Sequence, residues 1–412
     1  MTSRLLFFLL ALHLSAFFAQ AEWAAGNDET LQPVSSADFA PASLLSSALY
    51  SVDSLAQPDG QHVTFILQGP DGSERITGKQ CLVIRTSEIK AIAALDQIDK
   101  SEEFGKALVK AGAEKVESVK DAVKDPLGTA QRLPQGAAHF LGRVATAVKN
   151  TAEGKANPRS GVETALGVSR KKAELALQLG VSPYTRDAIL QSKLDATARA
   201  MAGGALVVNL SGLVVSGGVG TAISVVNVNQ TLQRTLIESS PEEMMVKNRA
   251  VLAAMGASPS AIQGFLGNTS LSPWQKSLIT ADLKDIGQNP NAFLGVAKRV
   301  STPESAVDLV QAARLLLKHH QESSPLVSLR EDNGVFAALD TSGTLLAPMA
   351  GDLILWTPLQ ESRADTLVTM AKADPQVKSL TLASDGLISA RAVDEFAKKG
   401  ILTTPQALGP IR

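Results

Sequence analysis

The chain has 412 residues, enough for two or three domains, and 45% of them are apolar, so a sizeable core is available and wholesale disorder is excluded. The formal net charge is −1, and no basic stripe is interleaved with aromatics, which argues against nucleic-acid binding. Aromatics make up only 4%, so the core must be built mostly from Ala, Val and Leu, a composition that leans helical.

Residues 1–21 read as a signal peptide. Arg4 supplies the charged start, Leu5 to Phe18 the apolar run, and Ala19-Gln20-Ala21 the small-x-small cleavage site, leaving Glu22 as the expected mature start. The expected location is therefore exported, periplasmic or secreted. Cys81 is the single cysteine, so no internal disulfide can form. It stands in the apolar run Cys81-Leu82-Val83-Ile84 and reads as a small buried residue.

Residues 22–60 mix Ser, Ala and Pro and read as a loosely attached N-terminal segment with a short helix near 42–52. His62 to Leu67 is strand-like, Gly69-Pro70-Asp71-Gly72 is turn chemistry, and Lys79 to Arg85 reads as a second strand. This predicts a β-hairpin with a loop too long for a tight turn, packed on something else because a lone hairpin is marginal in water. An amphipathic helix follows to Lys124, with Val109, Val116, Val119 and Val123 on one face and balanced acids and bases on its flanks. That balance favours packing on its own domain over a membrane surface. A further helix carries Phe140, Val144 and Val148, and the polar run 152–160 reads as a linker closing a unit over 61–155.

From 161 to 322 the pattern is a helical bundle. Its centre is a stretch over 200–233 that contains no Asp, Glu, Lys or Arg. Residues 205–226 are long enough to cross a bilayer of about 30 Å. Gly212, Ser216, Gly220 and Ser224 repeat every four residues, so on a helix they form a small-residue stripe that lets a second helix approach closely. The same pattern suits a membrane helix pair and a buried hairpin hinged near Gly217-Gly218. The missing aromatic belt and the even flanking charge favour the buried hairpin.

After the stretch, helix starts recur at Ser240-Pro241, Ser258-Pro259, Ser272-Pro273, Asn289-Pro290 and Thr302-Pro303. The side-chain oxygen caps an orphan amide and proline presets φ. Phe265, Trp274, Phe293, Leu309 and 315–317 are the expected core. The adjacent His319 and His320 point in different directions on a helix and do not suggest a shared metal.

Residues 325–412 read as a small α/β module: a hairpin turning at Asn333-Gly334, a short strand Leu353 to Trp356, a helix, a strand Val377 to Leu382, and a capped helix. The expected class is therefore α+β, predominantly helical: a helical body around a Gly/Val-rich hairpin, an N-terminal β-hairpin and a C-terminal α/β module. Ligands gather at strand carboxyl ends in such modules, which singles out Thr357, Ser384, Asp385 and Gly386. The chain carries no metal-ligand spacing, no phosphate loop and no Gly-x-Ser-x-Gly, so no catalytic residue, metal or cofactor is assigned.

Asp125-Pro126-Leu127-Gly128-Thr129, Leu133-Pro134-Gln135-Gly136 and Leu179-Gly180-Val181-Ser182-Pro183-Tyr184-Thr185 resemble runs in a group of exported bacterial proteins of unknown function. The resemblance implies export and supplies no activity. The expected function is a non-enzymatic envelope protein acting through protein or membrane contacts. The alternatives are a membrane-inserting protein using 200–233, and a periplasmic hydrolase or ligand-binding protein with its site in the C-terminal module.

Overall fold

A computed structural model describes residues 28–99, 104, 106, 158–202 and 230–409. The leader, most of the amphipathic helix after 99, and the stripe Gly212, Ser216, Gly220 and Ser224 lie outside the described residues. The described chain is mixed α/β and mostly helical, with an antiparallel sheet near its N-terminus and a second sheet near its C-terminus.

The N-terminal sheet is larger than a hairpin. Its strands are β1 (Val34–Ser35), β2 (Ser51–Val52), β3 (Leu55–Pro58), β4 (Val63–Gly69) and β5 (Gly72–Thr77). β4 is central: β5 lies along one edge, and β3 and β2 share the other. Its alternation is the reason, with Val63, Phe65 and Leu67 buried on one face. Residues 28–60 are therefore not a loose segment. They supply three strands and the short helix α1 (Ala42–Leu45), and Tyr50 and Ala56 join the core. Glu29 also docks at the far end of the chain, where its Oε2 accepts from Trp356 N and Ser389 Oγ, each at 2.5 Å.

The hairpin expectation needs two corrections. Gly69 pairs with Gly72 across Pro70-Asp71, so the turn is tight. The run Cys81 to Ile84 is helical, inside α2 (Lys79–Asp99). The second strand instead begins Gly72-Ser73-Glu74-Arg75, all exposed and thus without an apolar signal. The buried residues Leu82, Val83, Thr86 and Ile89 fall at helical spacing, and it was this face that resembled a strand.

The helical body contains α3 (Pro158–Gln178), α4 (Ala188–Ala202), α5 (Gln230–Glu238), α6 (Pro241–Ala254), α7 (Pro259–Gly267), α8 (Pro273–Ile286), α9 (Asn291–Ala297) and α10 (Pro303–Glu322). The predicted caps form at Ser240, Ser258, Ser272 and Thr302, and those at Ser240, Ser272 and Thr302 are reciprocal capping boxes. The exception is α9, where Pro290 itself occupies the cap without a side-chain bond and Asn289 Oδ1 accepts from Asn291 N. Leu95 of α2 joins Leu175, Leu190 and Leu194 of α3 and α4 in one core. Phe265, Phe293, Leu309 and 315–317 form another, which continues onto the C-terminal sheet through Leu326, Ala338 and Leu346. Trp274 is buried in a smaller cluster with Met244.

The C-terminal module holds β6 (Leu326–Asp332), β7 (Val335–Asp340), β8 (Thr344–Met349), β9 (Leu353–Ile354), α11 (Pro358–Lys372), β10 (Ser379–Ser384), β11 (Leu387–Ile388), α12 (Ala390–Lys398) and β12 (Ile401–Thr404). The sheet order is β12-β10-β8-β7-β6, with β8, β10 and β12 parallel. Leu353 and Ile354 are not in this sheet but pair with β11 beside it. The parallel neighbours of β10 are β8 and β12, so the strand before α11, β9, does not pair with the strand after it.

Candidate functional site

The carboxyl ends of β8 and β10 lie together, as the parallel pairing requires, and they are covered by the turn 59–62 of the N-terminal sheet. Gly60 O accepts from Leu355 N at 3.0 Å, and Gln61 O accepts from Asp352 N at 2.9 Å. Gln61 Nε2 donates to Ala350 O at 2.7 Å while its Oε1 accepts from Arg363 Nη1 at 2.7 Å. Gly60 has φ +101° and presses on Thr357, whose Cγ2 would be 2.8 Å from a Cβ placed there. The crevice that an open α/β sheet offers a ligand is thus filled by the chain's own backbone.

The residues singled out at this position act as structure. Thr357 Oγ1 caps α11 by accepting from Gln360 N. Ser384 is fully buried and its Oγ accepts from Gly386 N at 3.1 Å. Asp385 Oδ1 accepts from Gly351 N at 2.8 Å, and burial pushes its carboxyl up to about 6 against the opposing charge of Lys79. A Cβ on Gly386 would lie 2.1 Å from Gly351 O. The space left beside Asp385 is a cavity of about 10 Å³, the size of one water.

Next to this plug is a buried ionic junction that joins three parts of the chain. Asp352 accepts from Val63 N at 3.0 Å and from Lys79 N at 2.9 Å. His62 Nε2 lies 3.0 Å from Asp308 Oδ2 on α10, and its Nδ1 lies 3.7 Å from Asp352 Oδ2. Burial alone would lower the imidazole pKa, but hydrogen bonds and charge from Asp308 and Asp352 outweigh it and hold the pKa up at about 10. Cys81 is close by. Burial and then the carboxylates Glu304, Asp308, Asp352 and Glu88 push its thiol up to about 12. Burial and the surrounding carboxylates thus disfavour the Cys81 thiolate, the form that would act as a nucleophile.

A groove of about 510 Å³ opens between α2, β5, the loop 180–187, α8 and α10. Its walls include Ile84, Leu177, Val181, Leu278, Val307 and Val310. Tyr184 and Trp274 meet edge to face at one side, with centroids 6.2 Å apart. The helical spacing of 80, 81, 84, 85 and 88 turns one face of α2 into the groove, and that of 304, 307 and 311 does the same for α10. Arg85 lies 2.7 Å from both Glu74 and Asp187 and 3.7 Å from Glu88. Glu88 accepts from Thr185 Oγ1, and burial pushes its carboxyl up to about 7 in spite of that bond. Gln80 Oε1, Gln311 Oε1 and Trp274 Nε1 are buried without hydrogen-bond partners, and all three residues line the groove.

Sequence reasoning located the strand ends but not the groove or the junction. Their residues come from 62, 80, 88, 185, 304, 308, 311 and 352, with no local motif to connect them. The two adjacent histidines do diverge. His319 Nε2 meets Asp340 Oδ2 at 2.9 Å, while His320 Nδ1 accepts from Leu326 N at 3.0 Å. Among the described residues no group of three or more His, Cys, Asp or Glu is arranged to hold a metal, and no helix is long and apolar enough to cross a membrane. Comparison with protein-family models, with curated proteins and with solved structures gave no match.

Proposed function

We propose that this is an exported, non-catalytic protein that works by binding, and that the groove between α2 and α10 is its binding surface. One observation carries the reading. The groove has the volume of a small-molecule site, about 300–1,000 Å³, with mostly apolar walls and a few convergent polar groups. Against the strand-end alternative stands the turn 59–62, which is hydrogen-bonded over those strand ends. Of the charge-free stretch 200–233, residues 203–229 lie outside the described residues, and the ends that flank them belong to the helical body. In support, α4 enters it with Ala198 and Ala200 fully buried, and α5, which follows it, packs on α3 and α8. A membrane-inserted stretch would instead keep the mature protein in the pellet through an alkaline carbonate wash.

The binding reading is tested with N-phenyl-1-naphthylamine, a neutral apolar fluorophore. The mature protein should enhance its fluorescence saturably at one site. Ile84→Trp should abolish the enhancement without lowering the thermal midpoint, because Ile84 is 37% exposed and lines the groove. Equal binding by both proteins, or none by either, would sink the proposal.

A further inference from the structure

We infer that the groove selects cationic amphiphiles, molecules with an amine or guanidinium head on an apolar body. The inference rests on the binding reading above and specifies the ligand's head group. The floor of the groove, between α2 and α10, carries acceptors that lack donors. Gln311 is 97% buried by its 3% exposure, and its Oε1 has no partner; Gln80 Oε1, on the facing helix, has none either. An unpaired buried acceptor costs about 1–3 kcal/mol, so a ligand that supplies the donor recovers that free energy.

Charge on the same walls has the matching sign. Arg85 is engaged at 2.7 Å by both Glu74 and Asp187, which leaves Glu88 with only a 3.7 Å contact to it. Glu304 adds a second carboxylate beside Gln80 and Gln311, and it makes no ion pair among the described residues. Glu304 also stands in the first turn of α10, where an acid favours the helix in any case. That role explains its presence but does not neutralise it. The lining arginines Arg75 and Arg186 are exposed, and Arg186 is bonded to Ser270 O at 2.6 Å, so water screens both.

An alkylammonium has three donors and one charge, which fits two amide oxygens and a carboxylate. Tyr184 and Trp274 add aromatic surface to the same groove, beside which a cation is also favourable. The apolar body then lies along Leu177, Leu278 and Val310. Trp274 Nε1–H, also unpartnered, suits an acceptor farther along the ligand.

The test is displacement of N-phenyl-1-naphthylamine by dodecylamine, dodecanol and dodecanoate, each below its micellar concentration, at pH 8. Dodecylamine should displace the probe at about one-tenth the concentration of dodecanol, and dodecanoate should be the weakest. The double variant Glu88→Gln, Glu304→Gln should bring dodecylamine down to the level of dodecanol, with a thermal midpoint showing that it is folded. Equal potency of dodecylamine and dodecanol on the wild type, or a preference for dodecanoate, overturns the head-group inference while leaving the groove as an apolar site. Failure of the probe itself to bind overturns the groove reading, and the inference with it.

Discussion

Replacing Asp352 with alanine should loosen the junction between the N-terminal sheet and the rest of the molecule. The carboxylate is 3% exposed and accepts from two backbone amides, Val63 N and Lys79 N. Each orphaned amide costs about 1–3 kcal/mol. His62 also loses one of the two carboxylates that hold its charge in a buried setting. The expected loss is about 3–5 kcal/mol, a large share of the roughly 5–15 kcal/mol that stabilises a typical domain. Asp352→Asn keeps one acceptor but turns an NH₂ toward the second amide, so it should cost about half as much. Urea unfolding of the purified proteins gives the ranking wild type, Asn, Ala. Hydrogen exchange should locate the change at the Val63 and Lys79 amides. An alanine variant within about 1 kcal/mol of wild type would refute the junction as a stabilising device.

Other outcomes follow from the same geometry. Gly386→Ala must displace backbone, since its Cβ would sit 2.1 Å from Gly351 O, and should cost more than about 3 kcal/mol. Gly400→Ala, with open space but φ +77°, should cost only about 1 kcal/mol, and unfolding midpoints compare the two. The imidazole of His62, raised to about 10, contributes stability that is complete below its ordinary value of 6.5 and is lost as pH rises through 10. Thermal midpoints should therefore fall between pH 7 and 10, and His62→Gln should flatten that fall. Glu88, raised to about 7, likewise contributes stability below its ordinary 4.5 that is lost as pH rises through 7. Glu88→Gln should remove that part of the profile and leave the protein more stable than wild type at pH 8, by about 1–3 kcal/mol. A Glu88→Gln midpoint that tracks wild type from pH 4.5 to 8 would contradict the burial argument.

What could be read from the sequence was local. Ser240, Ser258, Ser272 and Thr302 cap helices because cap, proline and first-turn partner are neighbours in the chain, so the signal survives without tertiary context. The Asn333-Gly334 turn is legible for the same reason, with both residues at positive φ. β5 was missed because its first four residues, Gly72 to Arg75, are exposed and polar, and the sheet holds it by pairing with β4 rather than by burial. Cys81 to Ile84 misled because a short apolar run has no period of its own. Thr357, Ser384, Asp385 and Gly386 stand at strand and helix ends, but nothing local shows that residues 59–62 return across nearly three hundred positions to fill the crevice. The groove is harder still, since its walls come from five separated stretches and its telling feature is three polar atoms left without partners.

The central claim is that binding happens between α2 and α10, away from the strand ends of the C-terminal module. Hydrogen exchange of the purified protein with and without N-phenyl-1-naphthylamine tests it most directly. Slowed exchange confined to peptides covering 80–88, 180–187 and 304–311 is the predicted result. Protection centred on 351–357 and 384–386 instead, with the groove unchanged, would contradict it.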